Sequence, residues 1–177
     1  MAVQLQGNLV KKAHKKIKYT DKMLADLAKC SDPETGPMYF MENFLQIQHP
    51  TKGAIKFEPF KFQKNLVKNY HENRFSINML PRQTGKTTCA SAYLLWYAMF
   101  VPDSQILIAA HKYTGAQDIM NRFRYAYESV PDFIRPGIYS YNRNTIEFDN
   151  GSRVKATTTT ENTCLLYTSD AADDTRS

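Results

Sequence analysis

The segment Phe75–Thr88 constrains the fold more than any other part of this 177-residue chain. Its first half alternates apolar and polar residues with β character and ends at Pro81. Gly85 then opens an almost continuous apolar run to Val101, which is too long for a strand and has no helix breaker, so it predicts a buried helix over Lys86–Val101. Strand, tight turn and helix in this order predict a phosphate-binding loop, because the N–H groups of the turn and of the helix start point to one place.

The residue types of this loop suit a bound polyphosphate. Lys86 would reach the β- and γ-phosphates, and the Thr87 hydroxyl would hold Mg²⁺. The strict motif has a glycine five residues before Gly85, where this chain has Leu80. The alternative is an ordinary helix N-terminus with an exposed lysine, but the flanking strand and helix favour nucleotide binding. We expect the nucleotide to contact Gln83, Thr84, Gly85, Lys86, Thr87 and Thr88.

A second candidate contact precedes the loop. A helix is predicted from Pro59 to Tyr70, and Gln63 in it lies 22 residues before Gly85. A glutamine amide can donate to N7 of adenine and accept from N6 at once, and Phe62 beside it could stack on the base. The alternative is a solvated glutamine and a core phenylalanine. Together with the loop, the pair favours adenine binding.

Charge and composition limit the classes of protein to which this chain can belong. The chain has a formal net charge of +6, which is compatible with a nucleic-acid partner but too mild to establish one. No apolar run reaches the length of a membrane span, and no signal-peptide pattern opens the chain. Cys30, Cys89 and Cys164 have no metal-ligand spacing, so free thiols in a reducing compartment are expected. Residues 1–20 carry five lysines before the first acid; they could contact DNA phosphates, but we favour a solvated arm.

The rest of the chain alternates helix and strand patterns. Helices are predicted over Asp21–Lys29 with Thr20 as its cap, from Pro37 to a point before His49, and over Tyr113–Val130. The last carries an apolar stripe, with Arg122 and Arg124 facing away from it. Short strands are predicted over Ala54–Phe57 and Gln105–Ala110, and Asn150-Gly151 predicts a hairpin between Thr145–Phe148 and Ser152–Ala156.

These patterns predict an α/β fold in which a parallel sheet is flanked by helices. We expect an N-terminal helical segment over residues 1–55 and a partial P-loop ATPase domain over residues 56–163. His111 and Lys112 follow the strand Gln105–Ala110 at its carboxyl end, where such sheets bind ligands, so they could sense phosphate or DNA. The alternative for His111 is a structural role.

The last segment, Cys164–Ser177, does not continue the pattern. Its acidic, small-residue sequence resembles a translated sequencing adapter, so we expect native sequence to end near Thr163. Asp173 and Asp174 could instead be the acids of a Walker B strand. We reject this alternative because no four-residue apolar run comes directly before them.

An ordered set of motifs resembles one protein family. The motifs are Phe62-Gln63, Pro81–Thr88, Ile108–Lys112, Pro131–Phe133 with Pro136-Gly137, and Ile146–Ser152. From about Asp32 to Thr163 the chain resembles the large terminase subunit of tailed phages of the T-even-like type. Terminases of this type carry a deviant loop with Arg-Gln before Gly-Lys-Thr, which matches Arg82-Gln83 here.

The resemblance implies a genome-packaging motor: a RecA-like P-loop ATPase domain that drives double-stranded DNA into proheads, followed by a nuclease domain. It implies that Phe62 and Gln63 bind adenine, that Lys86 and Thr87 bind ATP phosphates and Mg²⁺, and that Arg82 stabilises charge on the leaving γ-phosphate. An arginine in that role contributes about 10³-fold or more in related phosphoryl-transfer systems. The implied partners are DNA, the portal protein, the small terminase subunit and copies in a ring on the portal, with no membrane. The implied location is the host cytoplasm and transiently the prohead portal, outside the mature virion.

The motifs that complete this chemistry are missing from the sequence. We find no Walker B aspartate, catalytic glutamate, coupling motif or nuclease carboxylates, so we expect this chain to be an N-terminal fragment that binds nucleotide weakly, while its intact parent is the ATPase. Two alternatives stay open. A helicase-like DNA translocase shares the glutamine, the loop and the next strand, and a non-catalytic binding module could keep the loop alone.

Overall fold

The computed structural model describes residues 10–49 and 51–159, which form an α/β structure. Its helices are α1 (Asp21–Cys30), α2 (Gly36–Phe44), α3 (Lys61–Glu72), α4 (Lys86–Phe100) and α5 (Tyr113–Ser129). Its strands are β1 (Gln46–His49), β2 (Gly53–Lys56), β3 (Gln105–Ala110), β4 (Ile138–Tyr141), β5 (Thr145–Phe148) and β6 (Arg153–Thr158). No helix in this part of the chain is both long and apolar enough to cross a membrane.

The main sheet is mixed, and the expectation of a parallel sheet is wrong for the described residues. Its strand order is β3-β6-β5-β4, in which only β3 and β6 run parallel. The predicted hairpin is confirmed, since Gly151 takes φ +83° in the turn and β5 pairs antiparallel with β6. A hairpin reverses the chain, so β5 and then β4 extend the sheet in antiparallel fashion.

Helices α4 and α5 pack together and build the core. Helix α4 buries seven residues around its circumference, which fits its continuous apolar sequence. Helix α5 buries the predicted stripe, and its Phe123 and Tyr127 rings both contact Phe148 of β5. Fully burying one such aromatic side chain contributes about 1.5–3 kcal/mol. These buried rings hold the sheet and the helices together.

The N-terminal region joins the same core. The cap predicted for α1 is confirmed, because Thr20 Oγ1 accepts a hydrogen bond from Met23 N at 3.4 Å. Helix α2 buries Phe40 and Met41, and Phe40 packs edge-on against Phe100 of α4. Strand β1, which we did not predict, pairs antiparallel with β2. The proposed boundary near residue 55 stays a prediction.

The strand predicted before the phosphate-binding loop does not form within the described residues. Residues 75–80 carry no strand pairing, and Phe75, Ile77 and Met79 are 83%, 94% and 92% exposed. Asn69 of α3 donates a side-chain hydrogen bond to Asn78 at 2.8 Å and tethers the segment there. Alternating apolar residues favour a strand only when a neighbouring strand accepts the backbone hydrogen bonds, and no described strand lies in register with this segment.

The end of the basic arm is folded, which corrects our preference for a solvated arm at residues 10–15. Ile138 N donates to Lys11 O at 2.9 Å, so the arm runs along β4. The Lys11 side chain is only 8% exposed and donates to Arg135 O at 2.7 Å. Burial lowers the pKa of Lys11 below its ordinary value. Residues 1–9 and the predicted adapter tail from Cys164 onward lie outside the described residues.

Candidate functional site

The loop before α4 has the backbone of an anion-binding turn. Gly85, the N-cap of α4, takes φ +74°, a left-handed conformation that strains any residue with a Cβ. Gln83 also takes a positive φ of 64°. No described side chain caps α4, and its first turn has no acidic residue. The N–H groups of that turn are therefore available to an anion, which the helix dipole also favours.

Lys86 folds back over the loop. Its Nζ donates to Leu80 O at 3.1 Å, and Thr84 Oγ1 donates to Pro81 O at 3.0 Å. The lysine is exposed and has no carboxylate partner among the described ion pairs. When a phosphate enters the loop, Lys86 can therefore exchange its carbonyl acceptor for a charged phosphate oxygen, which gives a stronger hydrogen bond.

Gln63 contacts the loop through its side chain. It is 6% exposed, its Nε2 donates to Thr84 O at 3.0 Å, and its Oε1 accepts from Phe60 N at 3.0 Å. The second bond closes the first turn of α3, where Phe60 is the N-cap residue. The structure thus brings Gln63 to the loop, with both ends of its amide bonded to main chain.

Two further predicted side chains of the site, Phe62 and Arg82, lie at the surface. Phe62 is 42% exposed and stacks on Phe60, which is 68% exposed, with ring planes 7° apart. Arg82 is exposed at the start of the loop. Phe60 was not predicted as a site residue, although the spacing Phe60-Lys61-Phe62 indicates two aromatic rings at one helix start.

A groove of about 330 Å³ lies beside the loop. Lys86 and Thr87 line it together with residues 107–109 of β3, and Ala90 and Leu94 of α4 contribute apolar surface. His111 and Lys112 are exposed and are not among the lining residues of this groove. The structure therefore joins the loop to β3, while these two residues lie outside the lining of this groove.

Thr87 is the predicted magnesium ligand and lines this groove together with Lys86. Its hydroxyl oxygen is a suitable hard donor for Mg²⁺, which keeps several waters and takes its other ligands from carboxylates and phosphates. Within residues 10–49 and 51–159, no three His, Cys, Asp or Glu side chains are grouped to hold a metal ion. The donors present fit Mg²⁺ only as an ion that arrives with a nucleotide.

One protein family matches this region. A model described as the N-terminal part of the T4likevirus-type terminase large subunit matches residues 77–169, which include the loop, α4, α5 and strands β3 to β6. This is more than half of the chain. The chain belongs to the terminase large-subunit family.

The family assignment confirms the resemblance drawn from the motifs. Terminase large subunits are components of the phage DNA-packaging machinery. Phe62 and Gln63 precede the matched residues, so their roles stay predictions. The match reaches residue 169, beyond Thr163, where we expected native sequence to end. The adapter origin of the tail also stays a prediction.

A second cavity of this terminase chain, of about 530 Å³, lies between β1, α4 and α5. Arg122 lines it and donates to Thr88 Oγ1 at 3.5 Å, a long bond. Arg124 lies over the Tyr141 ring and donates to Asn142 O, so it is not merely solvated. Neither contact was predicted, because both depend on how α5 packs against other elements.

Proposed function

We propose that this chain is the ATP-binding portion of a phage packaging motor. In this proposal the N–H groups of the first turn of α4 and Lys86 bind the β- and γ-phosphates of ATP. Thr87 and the phosphates bind Mg²⁺, which neutralises charge when it is bound. Gln83, Thr84 and Thr88 complete the loop around the phosphates.

The observation that carries this proposal is the conformation of the loop. Gly85 turns the backbone at φ +74°, α4 begins at the next residue without a side-chain cap, and Lys86 bends back over the turn. These are the features that a polyphosphate needs: aligned donors, a positive helix end and a cation within reach. The family assignment of the same residues adds independent support.

The remaining roles follow from the family. Arg82 is exposed at the loop and stabilises charge on the departing γ-phosphate in the intact parent, which hydrolyses ATP to move double-stranded DNA into proheads. The portal protein, the small terminase subunit and neighbouring copies in a ring are the proposed partners. The proposed location is the host cytoplasm, with transient assembly at the prohead portal.

Nucleotide binding to the 177-residue chain tests the proposal. Titration calorimetry with MgATP compares the wild type with Lys86→Ala, for which we expect affinity to fall about tenfold or more, because one charge-assisted bond to phosphate is lost. Lys68→Ala is the matched control, since Lys68 is a surface lysine of α3 that pairs with Glu72. We expect it to bind like the wild type.

Equal affinity of the wild type and Lys86→Ala would contradict the proposal and favour a non-catalytic module that only keeps the shape of the loop. ATP turnover by the same preparations tests the expectation from sequence that the intact parent, and not this chain, is the active ATPase. Robust, Lys86-dependent turnover would overturn that expectation while supporting the ATP site.

A further inference from the structure

We propose that the cavity between β1, α4 and α5 is a second ligand-binding site, which takes a small organic oxyanion with an apolar body. Its volume of about 530 Å³ lies in the range of pockets that hold small molecules. The cavity is separate from the groove beside the phosphate-binding loop, which Lys86 and Thr87 line. It meets α4 instead at Thr88, Ser91 and Ala92. The proposal therefore goes beyond ATP binding.

A buried hydroxyl without a partner belongs to this cavity. Ser91 lines it and is 2% exposed, and its Oγ makes no hydrogen bond to a described residue. Buried hydroxyls nearly always have a hydrogen-bond partner, because the loss of water is otherwise uncompensated. The other described buried atoms of this kind belong to Gln117 and Arg124, which are not among the lining residues. A ligand in the cavity supplies the partner that the fold does not give Ser91.

Two further donors stand beside Ser91. Thr88 lies three positions earlier on α4, so the two hydroxyls share one face of the helix. Thr88 Oγ1 accepts the 3.5 Å hydrogen bond from Arg122, and its own hydrogen has no described acceptor. Arg122 is exposed, lines the cavity and forms no ion pair with a described carboxylate. Two hydroxyls and an uncompensated guanidinium are a donor set for the oxygens of a phosphate or a carboxylate.

The remaining lining determines where the oxyanion lies and what it carries. Asp118 is one turn before Arg122 on α5 and also lines the cavity, but the two make no described ion pair. Its charge repels an oxyanion, so the oxyanion lies on the α4 side, where Arg122 reaches Thr88. Leu45 and Ala126 contribute apolar surface to the lining. That surface suits an apolar ring on the ligand.

Titration of the 177-residue chain with four small probes tests the site. Phenyl phosphate and benzoate each join an oxyanion to an apolar ring, inorganic phosphate has the anion alone, and phenol has the ring alone. NMR chemical shifts of the backbone amides follow binding at each residue. We expect saturable shifts at Thr88, Ser91 and Arg122, with an affinity for phenyl phosphate or benzoate about tenfold or more above that for phenol. The tighter of these two probes distinguishes a phosphate ligand from a carboxylate ligand. If neither probe shifts these amides saturably, the proposal is overturned.

Three variants test the position of the oxyanion. Arg122→Gln should lower the affinity for the tighter probe about tenfold or more, because a charge-assisted hydrogen bond is lost. Ser91→Ala should lower it about threefold or more while Tm stays at or above the wild-type value, since no described hydrogen bond is lost and alanine favours a helix. Asp118→Asn should raise the affinity about twofold, because a like charge is removed. Unchanged affinity in both Arg122→Gln and Ser91→Ala would overturn the proposal.

Arg153→Gln is the matched control for the loss of a charge. Arg153 is an exposed residue of β6 that pairs with Glu147 and does not line the cavity, so we expect wild-type affinity. Lys86→Ala separates the cavity from the phosphate-binding loop, which would also accept a phosphate. Binding that survives Lys86→Ala and weakens in Arg122→Gln supports the cavity, whereas the reverse pattern places the probe in the loop and overturns the proposal. Because no step uses ATP, failure of the proposed ATP site would leave this result unaffected.

Discussion

Replacing Gly137 with alanine should release the N-terminal arm from β4. A Cβ at Gly137 would lie 2.6 Å from Lys12 O, 2.6 Å from Ala13 Cα and 2.5 Å from Asp149 Oδ2. Two of these atoms belong to the backbone of the arm, so the clash is relieved only if the arm moves. The arm is held by bonds that such a movement breaks: Ile138 N to Lys11 O at 2.9 Å, His14 N to Asp149 Oδ2 at 3.1 Å and Lys11 Nζ to Arg135 O at 2.7 Å.

The expected loss follows from these bonds. At about 0.5–1.5 kcal/mol each, three hydrogen bonds contribute roughly 2–4 kcal/mol to the free energy of unfolding. Alanine restricts the unfolded chain and returns about 0.4–1 kcal/mol. The net destabilisation is about 1–3 kcal/mol, which corresponds to a fall in Tm of roughly 2–10 °C for a chain of this size.

Urea unfolding and thermal melts measure this loss, and Gly115→Ala is the matched control. A Cβ at Gly115 meets only Ala110 Cβ, at the ordinary distance of 3.6 Å, and Gly115 lies in α5. Because alanine favours a helix over glycine, the control should gain up to about 1 kcal/mol. The mechanism is tested by deleting residues 1–15 from the wild type and from the Gly137→Ala variant. If Gly137→Ala is as stable as the wild type, or if the deletion destabilises both backgrounds equally, the steric reasoning is refuted.

Two further predictions concern the core. Trp96 Nε1 donates a hydrogen bond to Cys30 O at 2.8 Å, so Trp96→Phe should lower the free energy of unfolding measured in urea by about 1–3 kcal/mol. The control is Tyr97→Phe, at a neighbouring residue that is 37% exposed, and it should change this free energy little. Equal effects of the two substitutions would show that the indole hydrogen bond does not stabilise the fold. Burial raises the pKa of Cys89 to about 11 and that of Cys30 to about 12, from an ordinary value of 9. Above pH 9 the folded chain therefore binds more protons than the unfolded chain, and the free energy of unfolding falls by about 1 kcal/mol for each thiol between pH 9 and pH 10. Urea unfolding at a series of pH values should show a shallower pH slope for Cys89→Ala, and an unchanged slope would contradict this assignment.

Local patterns were enough to predict the elements around the loop. The continuous apolar run predicted α4, the stripe at spacings of three and four predicted α5, and the apolar hexamer predicted β3. Asn150-Gly151 placed the hairpin because its geometry is set by the turn residues themselves. Gly85 and Lys86 were also identified from the sequence, because the conformation of a tight turn and the position of a lysine next to it depend on neighbours in the chain.

Long-range pairing could not be predicted in this way. Strands β1 and β4 were missed because a strand of four residues owes its existence to a partner elsewhere in the chain. For the same reason Phe75–Leu80 has a strand-like sequence without a strand in the described residues. The arm docks on β4 only because Gly137 leaves room for its backbone.

The sequence by itself determined the family and predicted a phosphate-binding loop, because both depend on the type and order of residues along the chain. Only the tertiary structure decided how the loop is held. The amide of Gln63 has the donor and the acceptor that adenine binding would need, and in the described structure packing directs them at Thr84 O and Phe60 N. A side chain with two donors and two acceptors has no role until its neighbours are known, and those neighbours are set by how α3 packs beside the loop.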